Sequence, residues 1–297
     1  VQQNHSKTLF EPFRIHFRNY EKEKPVDDHV FEVLKTFYSY DKGELNYKLE
    51  STEVQSYLKK EKVSFDAAYG RERMFAYLFF PLNRKPPYQT VIYFPGSGAE
   101  FFSSSQNIGE IEYSDYLDFL VRGGRAVVYP IYKGTFERGG GPQGKNRTAD
   151  EMREWRIQCV KDVSRTLDYL EERNEIDKNR IAYYGYSWGA GMGGVVGAVE
   201  NRFKTMILLH GGLPLRERQV EIDPINFVPR IRIPVLMING KYDSNYPVES
   251  SQKPMFRLLE TPETNKVHLL FETGHTSPRS DVVKIVLDWL DRYLGPA

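Results

Sequence analysis

The stretch of this sequence with the clearest chemical meaning is Gly185-Tyr186-Ser187-Trp188-Gly189. It ends an apolar run, RIAYYGYS, that reads as a strand, and it opens a Gly/Ala-rich run over Trp188–Glu200 that reads as a helix. A serine on so sharp a strand-to-helix turn draws neighbouring backbone together, and side chains at the two glycine positions would collide. The turn lifts the hydroxyl above a sheet and aims a helix N-terminus at an oxyanion forming beside it. An ordinary Gly/Ser helix cap has a similar composition, but the strand-before-helix context favours a nucleophile.

A serine hydroxyl is hardly ionised at neutral pH and needs a base. Of the six histidines, His5, His16 and His29 precede the sheet-forming part of the chain. His268 falls inside a strand-like run, KVHLLF, and His210 ends another, KTMILLH, which puts it near the site without a catalytic role. His275 lies in ETGHTSP, on a loop between the last strand and the last helix, from which an imidazole can reach back over the serine. His275 is therefore the expected base. The acid that fixes its tautomer is expected to be Asp243, in GKYDSNYP after the strand PVLMING. Asp223 and Asp281 are its rivals, Asp281 fitting better as a favourable charge in the first turn of the last helix. The order Ser, Asp, His differs from the orders of the chymotrypsin and subtilisin types.

Two donors are needed for the oxyanion. One is the N–H of Trp188, the residue after the nucleophile. The other is assigned to Ser97, in the turn Gly96-Ser97-Gly98-Ala99 after the strand TVIYFPG, with Gly98 its nearest alternative. Phe101, Phe102, Phe136, Trp188 and Phe227 are candidate walls of a substrate pocket. No metal or organic cofactor is called for.

These residues must be carried by alternating strands and helices. Residues 25–40 read as a short helix with Val30, Phe31, Leu34, Phe37 and Tyr38 on one face, and KVSFDAAY and RMFAYLFF read as an antiparallel pair around Gly70-Arg71. TVIYFPG, GRAVVYPIY, RIAYYGYS, KTMILLHG, PVLMING and KVHLLFETG read as strands. Tyr113–Arg122, Asp150–Arg173, Trp188–Glu200, Ser250–Leu259 and Ser280–Leu294 read as helices. Near-continuous apolar strands between helices imply a mostly parallel α/β sheet covered on both faces, with the leading pair as an antiparallel edge. The expected organisation is an N-terminal helical extension over residues 1–61 and a catalytic domain over residues 62–297, with lid-like segments at 133–149 and 213–233.

The chain has 297 residues, a net charge of +1, 27% charged and 40% hydrophobic residues, and one cysteine, Cys159. The charge balance gives no electrostatic case for nucleic acid or an anionic membrane as partner, and a single cysteine excludes an internal disulfide framework. The longest apolar runs, such as Val91–Pro95, are too short to span a bilayer. The start of the chain, without Met or an apolar signal region, reads as a processed or excised end, and a cytoplasmic setting is favoured. Asn4-His5-Ser6 and Asn146-Arg147-Thr148 match the glycosylation pattern and are read as chance.

From Lys62 to the C-terminus the sequence resembles the α/β-hydrolase superfamily. YFPGSGAE, GYSWGAGMGG, PVLMINGKYD and ETGHTSP are similar to its dienelactone-hydrolase, acetyl-xylan-esterase and prolyl-oligopeptidase-like branch. KEKVSFDAAYGRERMFAYLFFP and GYSWGA resemble the esterase-like domain at the C-terminus of some bacterial serine/threonine protein kinases, although no kinase motif is present here. The chain departs from its relatives in having Pro95 where many carry histidine, and Ser187 where dienelactone hydrolases proper use cysteine. The resemblance implies an α/β-hydrolase fold and a serine carboxylesterase with a small-molecule ester as its partner; the aromatic wall candidates point to short-chain or aromatic esters, and a homo-oligomer is compatible with this reading. The alternatives are an acylaminoacyl-peptidase-like hydrolase, for which the stretch before Lys62 is too short to build the usual propeller, and a non-catalytic binding module that has kept the fold.

Overall fold

The computed structural model describes residues 18–109, 113–139 and 147–297. Among the described residues nine strands form one sheet in the order β1-β2-β3-β5-β4-β6-β7-β8-β9. β1 (Lys48–Val54), β2 (Leu58–Asp66) and β3 (Arg73–Pro81) are antiparallel, and β3 joins β5 (Ala126–Ile131) in the same sense. From β5 onward the neighbours are parallel: β4 (Tyr88–Phe94), β6 (Ile176–Tyr186), β7 (Thr205–Leu209), β8 (Val235–Gly240) and β9 (Lys266–Phe271). This is the expected mostly parallel sheet with an antiparallel edge.

Successive side chains of a strand face opposite ways, so a strand covered on both sides feeds two cores. Ile92 and Phe94 of β4 point into one core with Leu167, Val196 and Phe227, while Val91 and Tyr93 point into the other with Val286, Trp289 and Leu290. The first layer contains α1 (Asp28–Thr36), α4 (Ala149–Glu171), α5 (Trp188–Val199) and α6 (Lys253–Leu258), and the second contains α2 (Tyr113–Tyr116), α3 (Asp118–Arg122) and α7 (Arg279–Leu294). α4 begins at a reciprocal cap: the Thr148 hydroxyl accepts from the Glu151 N–H at 3.2 Å, and the Glu151 carboxylate accepts from the Thr148 N–H at 2.8 Å. Among the described residues no helix is long and apolar enough to cross a membrane.

Four expectations are corrected. The stretch before residue 62 is not only helical: it supplies β1 and the first half of β2, so the sheet runs across that boundary. β1 escaped the sequence pattern because all seven of its residues are exposed, leaving no buried face to alternate with. The single helix expected over Tyr113–Arg122 is two short ones separated at Leu117. In α1 the buried stripe is Phe31 and Leu34, with Tyr38 just beyond; Val30 and Phe37 face solvent because a helix lying on a surface buries only a narrow stripe. The 213–233 segment is a packed cap rather than an open lid, with Leu213, Ile225, Phe227, Val228 and Ile231 all buried. Of the 133–149 segment, residues 140–146 lie outside the described residues; Gly134 to Gly139 close on themselves through the Gly134 N–H to Arg138 O bond at 3.0 Å.

Candidate active site

Ser187 sits between β6 and α5 with φ 51° and ψ −105°, a left-handed backbone that a side-chain-bearing residue seldom adopts. The flanking glycines are sterically required. A Cβ on Gly185 would lie 2.5 Å from the Gly189 carbonyl, and one on Gly189 would lie 2.1 Å from the Phe94 carbonyl oxygen. The turn is pinned by the Ser187 N–H to Leu209 O bond at 2.8 Å and the Gly189 N–H to Pro95 O bond at 3.0 Å.

His275 and Asp243 come to the serine from loops at the carboxyl ends of β9 and β8. His275 Nε2 lies 2.7 Å from Ser187 Oγ, and His275 Nδ1 lies 2.7 Å from Asp243 Oδ2. The other carboxylate oxygen of Asp243 accepts from the N–H groups of Asn245 at 2.8 Å and Tyr246 at 3.1 Å. Burial alone would raise the pKa of Asp243. The His275 hydrogen bond and the two backbone donors outweigh it and hold the carboxyl below its ordinary value. The three residues named from sequence order are thus brought together in one line of hydrogen bonds.

The rivals are accounted for elsewhere. Asp281 is exposed in the first turn of α7, and Asp223 pairs with Arg18 at 2.7 Å. His268 meets Asn239 Oδ1 at 3.2 Å, and burial, with help from Lys253, lowers its pKa to about 4. His29 is exposed on α1, while His5 and His16 lie outside the described residues, as do Asn4-His5-Ser6 and Asn146. His210 is buried with φ 56°, its ring centroid 5.5 Å from that of His275. Burial, then the neighbouring His275, lowers its pKa to about 4, which keeps it neutral beside the His275 ring. Ligating atoms of His210, Asp243 and His275 lie within 4.8 Å of one another; two of these side chains are already joined by the His–Asp hydrogen bond.

Trp188 is the first residue of α5, and Ser97 begins a 3-10 turn over Ser97–Phe101 capped by Gly96. No acceptor among the described residues takes the N–H of either one. The expected wall residues divide. Phe101 and Phe102 are exposed beside the Ser97 turn, and Phe102 stacks on the buried Phe136 at 6.0 Å. The Trp188 ring is packed flat on Trp155 at 5.2 Å and against the edge of Phe94 at 4.8 Å. Phe227 is a core residue and not a pocket wall: it is 0% exposed and takes the edges of Phe31 and Tyr38, fastening α1 to the cap.

Sequence reasoning misses Tyr246. Its hydroxyl reaches the Ser187 carbonyl at 3.4 Å and its ring stacks on His275 at 6.1 Å. A Cβ on Gly191 would lie 2.9 Å from that hydroxyl, so the small residue one turn into α5 makes room for it. Its position depends on the path of the loop after β8, for which the sequence carries no signal.

Solved structures with the same fold include acetyl xylan esterase 1 from Thermoanaerobacterium sp. (17% identity, TM-score 0.69, covering 91% of this chain and 96% of that one). They also include an acetyl xylan esterase from a Paenibacillus species (17% identity, TM-score 0.65, 93% and 98%) and a glucuronoyl esterase from Solibacter usitatus (13% identity, TM-score 0.62, 89% and 92%). At these identities the likeness speaks for the fold. Comparison with curated protein sequences gives no significant match. The sequence profile of the dienelactone hydrolase family matches residues 85–276, a span that holds the serine turn, the Asp243 loop and His275. The chain belongs to the dienelactone hydrolase family, with the α/β-hydrolase fold, and is a hydrolase of the esterase type.

Proposed function

We propose that this protein is a serine carboxylesterase that works through an acyl-enzyme on Ser187. The observation that carries the reading is the line Asp243–His275–Ser187, with both hydrogen bonds at 2.7 Å. Ser187 Oγ attacks the ester carbonyl while His275 Nε2 takes its proton. Asp243, held ionised by its backbone donors, accepts from His275 Nδ1–H and stabilises the imidazolium. The carbonyl oxygen becomes an oxyanion facing the N–H groups of Trp188 and Ser97. Collapse of the tetrahedral intermediate expels the alcohol, which receives the proton from His275. Water, deprotonated by the same imidazole, then attacks the acyl-enzyme and frees Ser187.

The proposed substrates are short-chain or aromatic esters. The exposed rings of Phe101 and Phe102 beside the Ser97 turn support a small apolar contact surface. The test is labelling by a fluorophosphonate probe, followed by a panel of p-nitrophenyl esters of increasing chain length with a peptide substrate alongside. Labelling of wild type but not of Ser187→Ala, with turnover falling as the acyl chain lengthens, is expected. An unlabelled Ser187 overturns the mechanism, and faster peptide than ester cleavage overturns the substrate class.

A further inference from the structure

The loop that follows the Ser97 turn has little apolar surface to hold it down. Of Phe101 to Asn107 only Ser105 is buried, and it is 0% exposed. A serine buried that completely needs partners for its N–H and its hydroxyl. One carboxylate supplies both: Glu137 accepts from the Ser105 N–H at 3.0 Å and from the Ser105 hydroxyl at 2.7 Å. The Ser105 hydroxyl also lies 3.0 Å from that of Tyr77 on β3, and Lys62 of β2 donates to Glu137 at 2.9 Å. The stack of Phe102 on Phe136 joins the same two segments a second time.

Glu137 stands in a turn that is itself tightly fixed. Phe136, just before it, has φ 46°, a backbone that a side-chain-bearing residue seldom adopts. Arg138, just after it, donates to the Ile131 carbonyl at 2.9 Å and pairs at 2.6 Å with Asp162 of α4. Asp162 is fully buried and also accepts from the Lys133 N–H at 2.8 Å, so both ends of the turn are tied to α4. The same turn reaches the other side of the serine. The Lys133 carbonyl accepts from Trp155 Nε1–H at 2.8 Å, and the Trp155 ring is the one stacked on Trp188. A Cβ on Gly134 would lie 2.5 Å from Trp155 Nε1, so glycine makes room for that approach. One turn thus holds, at Lys133, the ring packed on Trp188 and, at Glu137, the loop that begins at Ser97.

We propose that Glu137 is a positioning residue for the oxyanion hole: by holding Ser105 it fixes the loop that begins with the Ser97 N–H relative to Trp188. This inference rests on the esterase reading above. Oxyanion donors are effective when they are in place before the charge develops, and a loop of exposed residues is among the first parts of a protein to open locally. Among the described residues no hydrogen bond joins Glu137 to Ser187, Asp243 or His275; its effect runs through Ser105. The pair with Lys62 is partly exposed and worth little alone, so the two bonds to Ser105 are the ones that matter.

The test reads oxyanion stabilisation in two ways: turnover of p-nitrophenyl butyrate, and inhibition by trifluoroacetophenone. Ser187 Oγ adds to the carbonyl carbon of that ketone, and the ketone oxygen becomes an oxyanion in the hole. Rates are normalised to active sites counted with the fluorophosphonate probe. In Glu137→Ala, kcat is expected to fall by about tenfold or more, short of the roughly 100-fold to 1,000-fold cost of losing a donor outright. KM should stay within about twofold, and Ki for the ketone should rise by the factor by which kcat falls. Glu137→Gln, which keeps an acceptor for the Ser105 N–H, should recover part of both losses. Lys62→Met, which removes the ion pair and leaves the Ser105 bonds, should stay within about twofold of wild type on both readouts. Wild-type kcat and Ki in Glu137→Ala overturn the proposal. A fall in kcat with unchanged Ki marks a general loosening and overturns it too, as does an equal loss in Lys62→Met. If Glu137→Ala does not fold, Glu137→Gln and Ser105→Ala carry the comparison: a parallel shift of kcat and Ki supports the proposal, and no shift overturns it. If the probe leaves wild-type Ser187 unlabelled and no ester is cleaved, the esterase reading fails and this proposal with it.

Discussion

Gly240, the last residue of β8, lies so close to Gly274 that a Cβ on it would stand 1.7 Å from the Gly274 carbonyl oxygen and 2.5 Å from that of Thr273. The loop bearing the acid and the loop bearing the base are pressed together there. The contact is sealed by the Lys241 N–H to Phe271 O bond at 2.8 Å and the Tyr242 N–H to Thr273 O bond at 2.9 Å. Gly240→Ala is therefore expected to push His275 away from Asp243 and Ser187. A displacement of about 1 Å at a reacting group can cost on the order of 100-fold in rate, so ester turnover should fall by at least about tenfold. Thermal unfolding should show a destabilisation of about 1–3 kcal/mol, as for other overpacked sites. A Gly240→Ala enzyme with wild-type kcat would show that the two loops move independently.

Ser187→Ala should reduce ester turnover by about a thousandfold or more, the scale on which triad members contribute. The substitution removes only a hydroxyl, so circular dichroism and the unfolding midpoint should stay close to wild type. Relief of the left-handed backbone is not expected, because alanine is no more at ease there than serine.

Among the acids, only Asp243→Asn should remove most of the activity, since it alone touches His275. Asp223→Asn should act on stability through its pair with Arg18, and Asp281→Asn should change little. Ester kinetics and melting curves on the three variants separate these outcomes. Among the histidines, His275→Ala should abolish turnover, while His210→Ala should reduce it less, by loosening the packing behind the His275 ring. A dead His210→Ala enzyme that remains folded, beside an active His275→Ala enzyme, would reverse the assignment.

His210 and His268 make stability depend on pH. Each has a pKa of about 4 in the folded protein, against about 6.5 for a histidine in the unfolded chain. Between these values the unfolded state binds more protons, so stability rises with pH. It is fully present above about 6.5 and is lost as pH falls toward about 4. Melting temperatures measured across that window should decline steadily in wild type and less steeply in His268→Gln, which removes one of the two protons involved. Equal slopes would mean that His268 is as easily protonated folded as unfolded.

The sequence by itself showed strands β2 to β9 and the main helices in order, though not the division of α2 from α3, and it pointed to the serine turn, Asp243 and His275. Each of these rests on local constraints. Apolar runs must be buried, glycines must flank a turn that crowds backbone against Phe94, and catalytic loops must follow strands. Tertiary structure alone decided the rest. β1 has no buried face to betray it, Phe227 became a fastening for α1 because that helix lies on the cap, and Tyr246 reaches Ser187 only through the path of the loop after β8. Gly240 and Gly274 are far apart along the chain, and only the parallel pairing of β8 with β9 makes them touch.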